Sequence, residues 1–221
     1  SIKDTAETLS RYVEGIMARV FDHQDITELA QNATVPVING LSDKFHPCQA
    51  LTDLFTIWEK KEELKDLTIA FVGDGDNNVT NSLLLLSARL GVNFKIGCPE
   101  KHKTCQEILN FAQKDVLENN VKIEILDNAK EAVKDVDVIY TDVWVSMGRE
   151  DTEKRIKAMV PFQVNRELLL SAKKDVMIMH CLPAHRGQEI TDEIIDGPNS
   201  IVFDQAENRL HIQKAILSLL I

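Results

Sequence analysis

The sequence predicts an α/β fold, in which a Rossmann-like parallel sheet is flanked by helices and is joined to part of a second α/β domain. Strand-like and helix-like hydrophobic periods alternate along most of the chain, which is typical of βαβ units. The strand-like segments are apolar throughout, as expected for a sheet covered on both faces. The 221 residues suffice for one full domain and part of another.

In the first third of the chain, the hydrophobic pattern predicts short helices and strands followed by one long helix. This helix, from about Pro47 to Glu62, has Leu51, Leu54 and Trp58 at helical spacing and a proline in its first turn. The segments before it are helix 2–13, strand 15–21 (GIMARVF), helix 24–32 and strand 35–38 (VPVI).

The remaining chain predicts a regular succession of strands and helices. The predicted strands, each with the helix that follows it, are 67–73 with 78–90, 93–98 with 104–118, 122–126 with 129–134, 137–142 with 151–159, and 176–181 with 191–196. Residues 200–204 (SIVFD) lead into a C-terminal helix that runs to Ile221. This alternation favours a mostly parallel sheet.

Composition excludes several classes of function. The net charge of −10 and the pI near 5.1 leave no basic surplus to replace the counterions of a nucleic acid. A local pocket of arginine and histidine can still bind a small anion. No apolar run reaches the ~18 residues of a membrane span. The four cysteines form no CxxC pair and the N-terminus is not signal-like, which indicates reduced thiols in a cytoplasmic protein.

Polar clusters follow several predicted strands or open helices. In an open α/β sheet, ligands bind outside the carboxyl ends of the strands. Clusters that converge there predict an enzyme acting on a polar, charged small molecule. They are His46-Pro47-Cys48-Gln49, Gly73-Asp74-Gly75-Asp76-Asn77-Asn78, Asp142 to Gly148, His180-Cys181-Leu182-Pro183, and Glu207-Asn208-Arg209.

Two of the clusters open helices, and each has two interpretations. The glycines at 73 and 75 allow backbone N–H groups to approach an anion, or they simply form a capped turn. Asn78 replaces the third glycine of G-x-G-x-x-G, which argues against a nucleotide-dependent oxidoreductase. His46 and Gln49 precede or open the long helix, where His46 can polarise a carbonyl group or merely cap the helix.

The clusters that follow the later strands also have more than one interpretation. His180, Cys181 and His185 could bind zinc, although their spacing matches no structural zinc pattern. Cys181 could be a nucleophile, but no base is evident, so a non-covalent contact is favoured. Asp142 suits an ammonium group, and the glycine-containing loop after it suits closure over a ligand.

Two arginines are candidates for binding an anion. Arg19 lies in an apolar strand, and an arginine at a buried strand position usually pairs with an anion or a carboxylate. Arg209, which is expected to begin the last helix, has the same two interpretations.

In this order, HPCQ, DVWVSMG and HCLPAHRGQEITDEIIDG resemble the ornithine carbamoyltransferases of the aspartate/ornithine carbamoyltransferase family, whose aspartate members lack the SMG loop. The resemblance covers essentially the whole chain. It implies transfer of a carbamoyl group from carbamoyl phosphate to L-ornithine, without metal or other cofactor. It also implies homotrimers or multiples of trimers.

The resemblance also implies roles for individual residues. Arg19, His46, Asp142 and Cys181 are expected to be catalytic. The residues expected to contact carbamoyl phosphate are Arg19, His46, Pro47, Cys48, Gln49, Cys181, Leu182 and Arg209. Those expected to contact ornithine are Asn78, Asp142, Ser146 and Met147, with Asp142 on the α-amino group.

The family's Ser-Thr-Arg-Thr phosphate loop does not occur in this sequence. The expected organisation is therefore the end of a carbamoyl-phosphate domain (1–46), a connecting helix (47–62), an ornithine domain (63–204) and a C-terminal helix (205–221) that packs back on the first domain. Two alternatives remain open at this point. One is a catalytically incomplete fragment that still binds an amino acid, and the other is a carbamoyltransferase for another amine such as putrescine.

Overall fold

The structure is a computed structural model that describes residues 1–145 and 152–221. Its helices are α1 (Ile2–Leu9), α2 (His23–Asn32), α3 (Pro47–Lys61), α4 (Asn78–Arg89), α5 (Gln106–Asn119), α6 (Ala129–Ala132), α7 (Thr152–Met159), α8 (Arg166–Leu169), α9 (Asp192–Ile195) and α10 (Val202–Leu220). Its strands are β1 (Ile16–Arg19), β2 (Val37–Leu41), β3 (Thr68–Val72), β4 (Asn93–Gly97), β5 (Ile123–Leu126), β6 (Val138–Thr141) and β7 (Met177–His180).

The strands form two parallel sheets. β1 pairs with β2, and the five-stranded sheet has the order β5-β4-β3-β6-β7. The strand order reverses between β3 and β6, so the helices after these two strands leave in opposite directions. The crevice at this reversal is the usual ligand-binding position of an open α/β sheet. The α/β fold with a helix-flanked parallel sheet is confirmed.

The large sheet is buried on both faces, as its apolar strands predict. Along β3, Ile69 and Phe71 pack into a core that includes α3, α4 and α5. Ala70 and Val72 point the other way, into a core that includes α6 and α8. A third, small core around Ala6 lies between the two-stranded sheet and helices α1 and α2.

Four details differ from the sequence predictions. The last helix begins earlier than predicted, at Val202 instead of residue 205, and of residues 200–204 only Ser200 makes a bridge, to Ile178. Arg209 therefore lies inside α10 rather than at its start. Arg19 is exposed, not buried, because only the opposite face of β1, with Ile16 and Ala18, packs against a core. The short helix α8 was not predicted.

Helix α10 connects the parts of the molecule. It packs along α3 and contacts β7, and Ile221, which follows it directly, lies against Gly15 beside β1. In the part of the chain that the structure describes, no helix has both the length and the apolar composition needed to cross a bilayer.

Candidate functional site

One cavity of about 580 Å³ lies where the two parallel sheets face each other. The end of β1 and the start of α3 contribute Arg19 and His46. The ends of β6 and β7 and the start of α4 contribute the other predicted site residues that line it, which are Asn78, Asp142, Cys181 and Leu182. The cavity therefore has a cationic group on one wall and a carboxylate on the other.

His46 precedes α3 and is held in place through its backbone. Its N–H donates to Ser82 Oγ on α4 at 2.7 Å. Its ring Nε2 lies 3.4 Å from Arg209 Nη1, and Nδ1 has no partner among the described residues. Burial lowers the pKa of His46 to about 4, with smaller contributions from Arg209 and Arg19. The imidazole is therefore neutral at pH 7, and it can polarise a carbonyl group without adding a positive charge.

This depressed pKa predicts a loss of stability in acid. Between pH 6.5 and 4 the unfolded chain binds a proton at His46 that the folded chain does not. The contribution of His46 to the free energy of unfolding is constant well above pH 6.5 and decreases below it, by about 2 kcal/mol at pH 5. We expect His46→Gln to remove this part of the decrease, measured by urea denaturation at pH 7.5 and 5. The control is His211→Gln on the exposed face of α10. The same pH dependence in His46→Gln as in the unsubstituted chain would contradict the prediction.

Gln49 and Arg209 lie behind His46 and do not line the cavity among the described residues. Gln49 is buried one turn into α3, and its Oε1 accepts a hydrogen bond from Arg209 Nη1. The same guanidinium nitrogen faces His46. Pro47 and Cys48 also lie away from the cavity wall, and the Cys48 thiol donates to the Asn39 carbonyl at 3.5 Å. Direct contacts of these four residues with substrate stay predictions.

Asp142 follows β6 and is almost fully buried. Its Oδ2 accepts from Asn77 Nδ2 at 3.3 Å, and its Oδ1 accepts from the Cys181 thiol at 3.1 Å. Burial raises the pKa of Asp142 and raises that of Cys181 well above its ordinary value, with Asp142 adding to the second shift. The Cys181 side chain is therefore a neutral thiol, which supports a non-covalent role rather than a nucleophilic one.

A buried pair beneath the cavity fixes the segment after β7. His180 Nε2 lies 3.2 Å from Glu189 Oε1, and both side chains are fully buried. His180 Nδ1 accepts from the backbone N–H of Leu182 at 2.9 Å. Leu182 has a φ of +57°, a left-handed conformation that costs an L-residue about 1–2 kcal/mol. The histidine thus holds a strained residue at the cavity wall.

The zinc interpretation has a partial counterpart in the structure. Asp142, His180 and Cys181 each offer a possible ligand atom within 4.8 Å of one another. Both ring nitrogens of His180 are already engaged, by Leu182 and Glu189. Hydrogen bonding therefore accounts for the cluster. His185 lines the cavity instead of joining it.

The predicted ornithine contacts fall into two groups. Asn78 opens α4 and lines the cavity, and its Nδ2 donates to the Ser42 carbonyl at 2.7 Å. Ser146 and Met147 lie outside the described residues. Arg155 on α7 forms a largely buried ion pair with Asp74 and donates to the Trp144 carbonyl at 2.9 Å. This ties α7 to the turn after β3.

Sequence reasoning missed a second row of polar residues beneath the site. Asp53, Tyr140 and Gln205 are buried and hydrogen-bonded to one another or to site residues. One signal could have revealed Asp53, which occurs on the apolar face of α3 beside Ala50 and Leu54. A carboxylate at such a position is almost never buried without a partner. Nothing in the local pattern distinguishes Tyr140 or Gln205.

Comparisons with known proteins agree along the whole chain. Residues 65–220 match the family described as aspartate/ornithine carbamoyltransferase, Asp/Orn binding domain, and residues 1–59 match its carbamoyl-P binding domain. The anabolic ornithine carbamoyltransferase of Pyrococcus furiosus is 55% identical over 220 residues, which is 99% of this chain and 70% of that protein. The ornithine carbamoyltransferase of Thermococcus kodakarensis is 56% identical with the same coverage. The solved P. furiosus structure covers 100% of this chain and 70% of its own, with a TM-score of 0.96 and 55% identity.

Proposed function

Because the chain belongs to the aspartate/ornithine carbamoyltransferase family, we propose that it transfers the carbamoyl group of carbamoyl phosphate to the δ-amine of L-ornithine, giving L-citrulline and phosphate. The observation that carries this proposal is the cavity with opposite charges on its two walls. Arg19 and His46 suit an anionic carbamoyl donor, and Asp142 suits the ammonium group of an amino acid.

The reaction is an acyl transfer to a neutral amine. The δ-nitrogen attacks the carbonyl carbon, and a tetrahedral oxyanion develops on the carbonyl oxygen. The new C–N bond remains, the C–O bond to the phosphate breaks, and the phosphate leaves with the electron pair while the nitrogen loses a proton. Binding both substrates in one cavity removes much of the entropic barrier.

Residues on the carbamoyl-phosphate side have three proposed tasks. Arg19 pairs with the phosphate oxygens, because it is a cavity-lining cation with no ion-pair partner among the described residues. The neutral His46 imidazole polarises the carbonyl group. Arg209, which Gln49 orients behind His46, stabilises the developing oxyanion through its positive charge. Cys181 and Leu182 contact the carbamoyl group from the opposite wall.

Residues on the ornithine side bind the α-ammonium and α-carboxylate groups of ornithine, which orients its side chain toward the carbamoyl group. Asp142 binds the α-ammonium group, and Asn78 binds the α-carboxylate end beside it. Ser146 and Met147 complete this part of the site in the proposal, which rests for these two residues on the resemblance. Putrescine keeps a second ammonium group for Asp142 but lacks the α-carboxylate, so it would leave Asn78 without the ligand group proposed for it.

The assignment of segments of the chain to domains is also a proposal. Residues 1–46 belong to the carbamoyl-phosphate domain, 47–62 connect, 63–204 bind ornithine, and 205–221 return to the first domain. The contact of Ile221 with Gly15 supports this return. Exposed apolar side chains on both segments, Tyr12, Phe21 and Leu219 among them, support assembly into trimers. The four unbonded cysteines fit a reducing cytoplasm.

Citrulline formation tests the proposal directly. The protein is incubated with carbamoyl phosphate and either L-ornithine or putrescine, and the carbamoylated product is identified by mass spectrometry. We expect L-citrulline from ornithine and at least about tenfold less product from putrescine, because hydrogen bonds to the missing α-carboxylate are worth about 1.5–3 kcal/mol. Equal use of both amines would replace the ornithine assignment. Binding of ornithine without any turnover would support the catalytically incomplete alternative.

A further inference from the structure

Asp53 is a fully buried carboxyl group one turn beyond Gln49 on α3, and none of the roles described above uses it. Its Oδ1 accepts two hydrogen bonds, from Gln49 Nε2 at 2.8 Å and from Gln205 Nε2 at 2.7 Å. Its Oδ2 has no hydrogen-bond partner among the described residues. One oxygen of Asp53 thus joins two amide side chains from different helices.

The first hydrogen bond determines which way the Gln49 amide faces. A glutamine amide has one oxygen and one NH₂ group. When the NH₂ group donates to Asp53, the oxygen must face the other way, where it accepts from Arg209. Without an acceptor at position 53, the buried Gln49 NH₂ group has no partner, although the amide oxygen still faces Arg209. The amide then moves toward another acceptor and loses its alignment with Arg209, because a buried donor without a partner is costly. A complete flip would place the NH₂ group against the guanidinium, two donors facing each other.

The second hydrogen bond reaches the other wall of the site. Gln205 on α10 donates to Asp53 and accepts from the backbone N–H of His180 at 3.0 Å. His180 ends β7, directly before Cys181. Asp53 is therefore connected to His46 through Gln49 and Arg209, and to Cys181 through Gln205 and His180.

This arrangement costs the folded state stability. Burial raises the pKa of Asp53 to about 7, and the hydrogen bonds from Gln49 and Gln205, together with the nearby Tyr140 hydroxyl and the Arg209 guanidinium, offset this only in part. Between pH 3.8 and 7 the unfolded chain releases a proton that the folded chain keeps, so the cost grows with pH over this range and is constant above it. A buried polar group that lowers stability and leaves an oxygen unpaired calls for a reason other than folding.

We propose that Asp53 is a positioning residue for carbamoyl transfer, whose Oδ1 holds the Gln49 amide oxygen toward Arg209 and, through Gln205, holds the end of β7. This proposal rests on the proposed function, since the roles of Arg209 and Cys181 are defined by that reaction. Asp53 itself touches no substrate, because it lies beneath the cavity wall.

Three variants separate this role from simple packing. Asp53→Leu has a similar size but no acceptor. Asp53→Asn keeps an acceptor oxygen at the Oδ1 position, provided that its NH₂ group takes the place of the unpaired Oδ2. Thr52→Val is the matched control, because Thr52 is also fully buried on α3 but donates only to the Cys48 carbonyl. Melting temperatures show that each variant folds.

We expect Asp53→Leu to lower kcat/KM for carbamoyl phosphate by at least about tenfold, the loss expected from one misplaced charged hydrogen-bonding group. Asp53→Asn should restore the value to within about threefold of the unsubstituted protein. Thr52→Val should lower the melting temperature without changing the kinetic constants. Unchanged constants in a folded Asp53→Leu, or no restoration in Asp53→Asn, would overturn the proposal.

A second measurement does not depend on turnover. The imidazole of His46 is titrated by NMR, since Arg209 contributes to its low pKa. Release of Arg209 in Asp53→Leu should raise the His46 titration midpoint by at least about 0.5 pH unit, whereas Thr52→Val should not change it. The failure of the unsubstituted protein to form citrulline would refute the proposed function alone, and the His46 midpoint would still decide the role of Asp53.

If Asp53→Leu does not fold, Gln205→Met decides. It removes the acceptor of the His180 N–H and the hydrogen bonds to Asp53 and Tyr140, but it leaves the hydrogen bond between Gln49 and Asp53 in place. Because Cys181 and Leu182 follow His180 and are proposed to contact the carbamoyl group, this variant should raise KM for carbamoyl phosphate by about fivefold or more. Unchanged KM for carbamoyl phosphate in this variant would contradict the proposal.

Discussion

Asp142→Asn is expected to lower kcat/KM for ornithine by about 100- to 1,000-fold, which corresponds to about 3–4 kcal/mol. The carboxylate follows β6 in an almost fully buried position, where a bond to the ligand's ammonium group is poorly replaced by water. Asparagine keeps the shape and can still accept from Asn77 or Cys181, but it carries no charge. Initial rates at varied ornithine and saturating carbamoyl phosphate measure the effect.

The control for this substitution lies at the opposite end of the same strand. Asp137 precedes β6, accepts from the backbone N–H of Thr68 at 2.9 Å and pairs with Lys173. Asp137→Asn loses an ion pair at the far edge of the sheet, so it should affect stability and leave the kinetic constants unchanged. An Asp142→Asn enzyme with the same KM for ornithine as Asp137→Asn would contradict the assignment of Asp142.

The pH dependence provides an independent check of the same residue. Burial raises the pKa of Asp142 above its ordinary value. As the pH falls, the carboxylate therefore becomes protonated at a higher pH than an exposed aspartate would, and ornithine binding should weaken from that point. In Asp142→Asn this acidic limb in the affinity for ornithine should disappear. Isothermal titration calorimetry at several pH values measures it.

The cavity-lining residues could largely be anticipated from the sequence, and their supports could not. Asp142, Cys181 and Leu182 follow apolar strands, and the carboxyl ends of parallel strands meet at one edge of a sheet. His46 precedes α3 and Asn78 opens α4, and such helix starts also lie at the ligand-binding edge of an α/β sheet. The local sequence pattern and this rule of sheet topology were therefore enough to predict these positions.

Residues whose roles depend on contacts between distant segments were not accessible in this way. Gln205 and Asp53 are 152 positions apart, and they meet only because α10 returns along α3. The exposure of Arg19 was mispredicted for a related reason. Its apolar neighbours suggested a strand covered on both faces, but β1 belongs to a two-stranded sheet with only a small core. Strand periodicity alone does not reveal how many layers cover a strand.

Arg19→Met is expected to lower kcat/KM for carbamoyl phosphate by about 100-fold or more, with little change in KM for ornithine. Arg19 ends β1, lines the cavity and is close enough to His46 to contribute to its depressed pKa. A guanidinium forms paired hydrogen bonds with phosphate oxygens, and removing one partner of such a charged pair costs about 2–5 kcal/mol. Steady-state kinetics with carbamoyl phosphate as the varied substrate measure the loss.

Two further substitutions determine whether charge or geometry is lost in Arg19→Met. Arg19→Lys keeps the charge but not the planar fork, so it should fall between the unsubstituted protein and Arg19→Met. Arg11→Met removes an exposed arginine from the same part of the chain that does not line the cavity, and it should behave like the unsubstituted protein. If Arg11→Met and Arg19→Met weaken carbamoyl phosphate equally, the effect comes from the overall charge of an acidic protein, and a specific contact between Arg19 and the phosphate is ruled out.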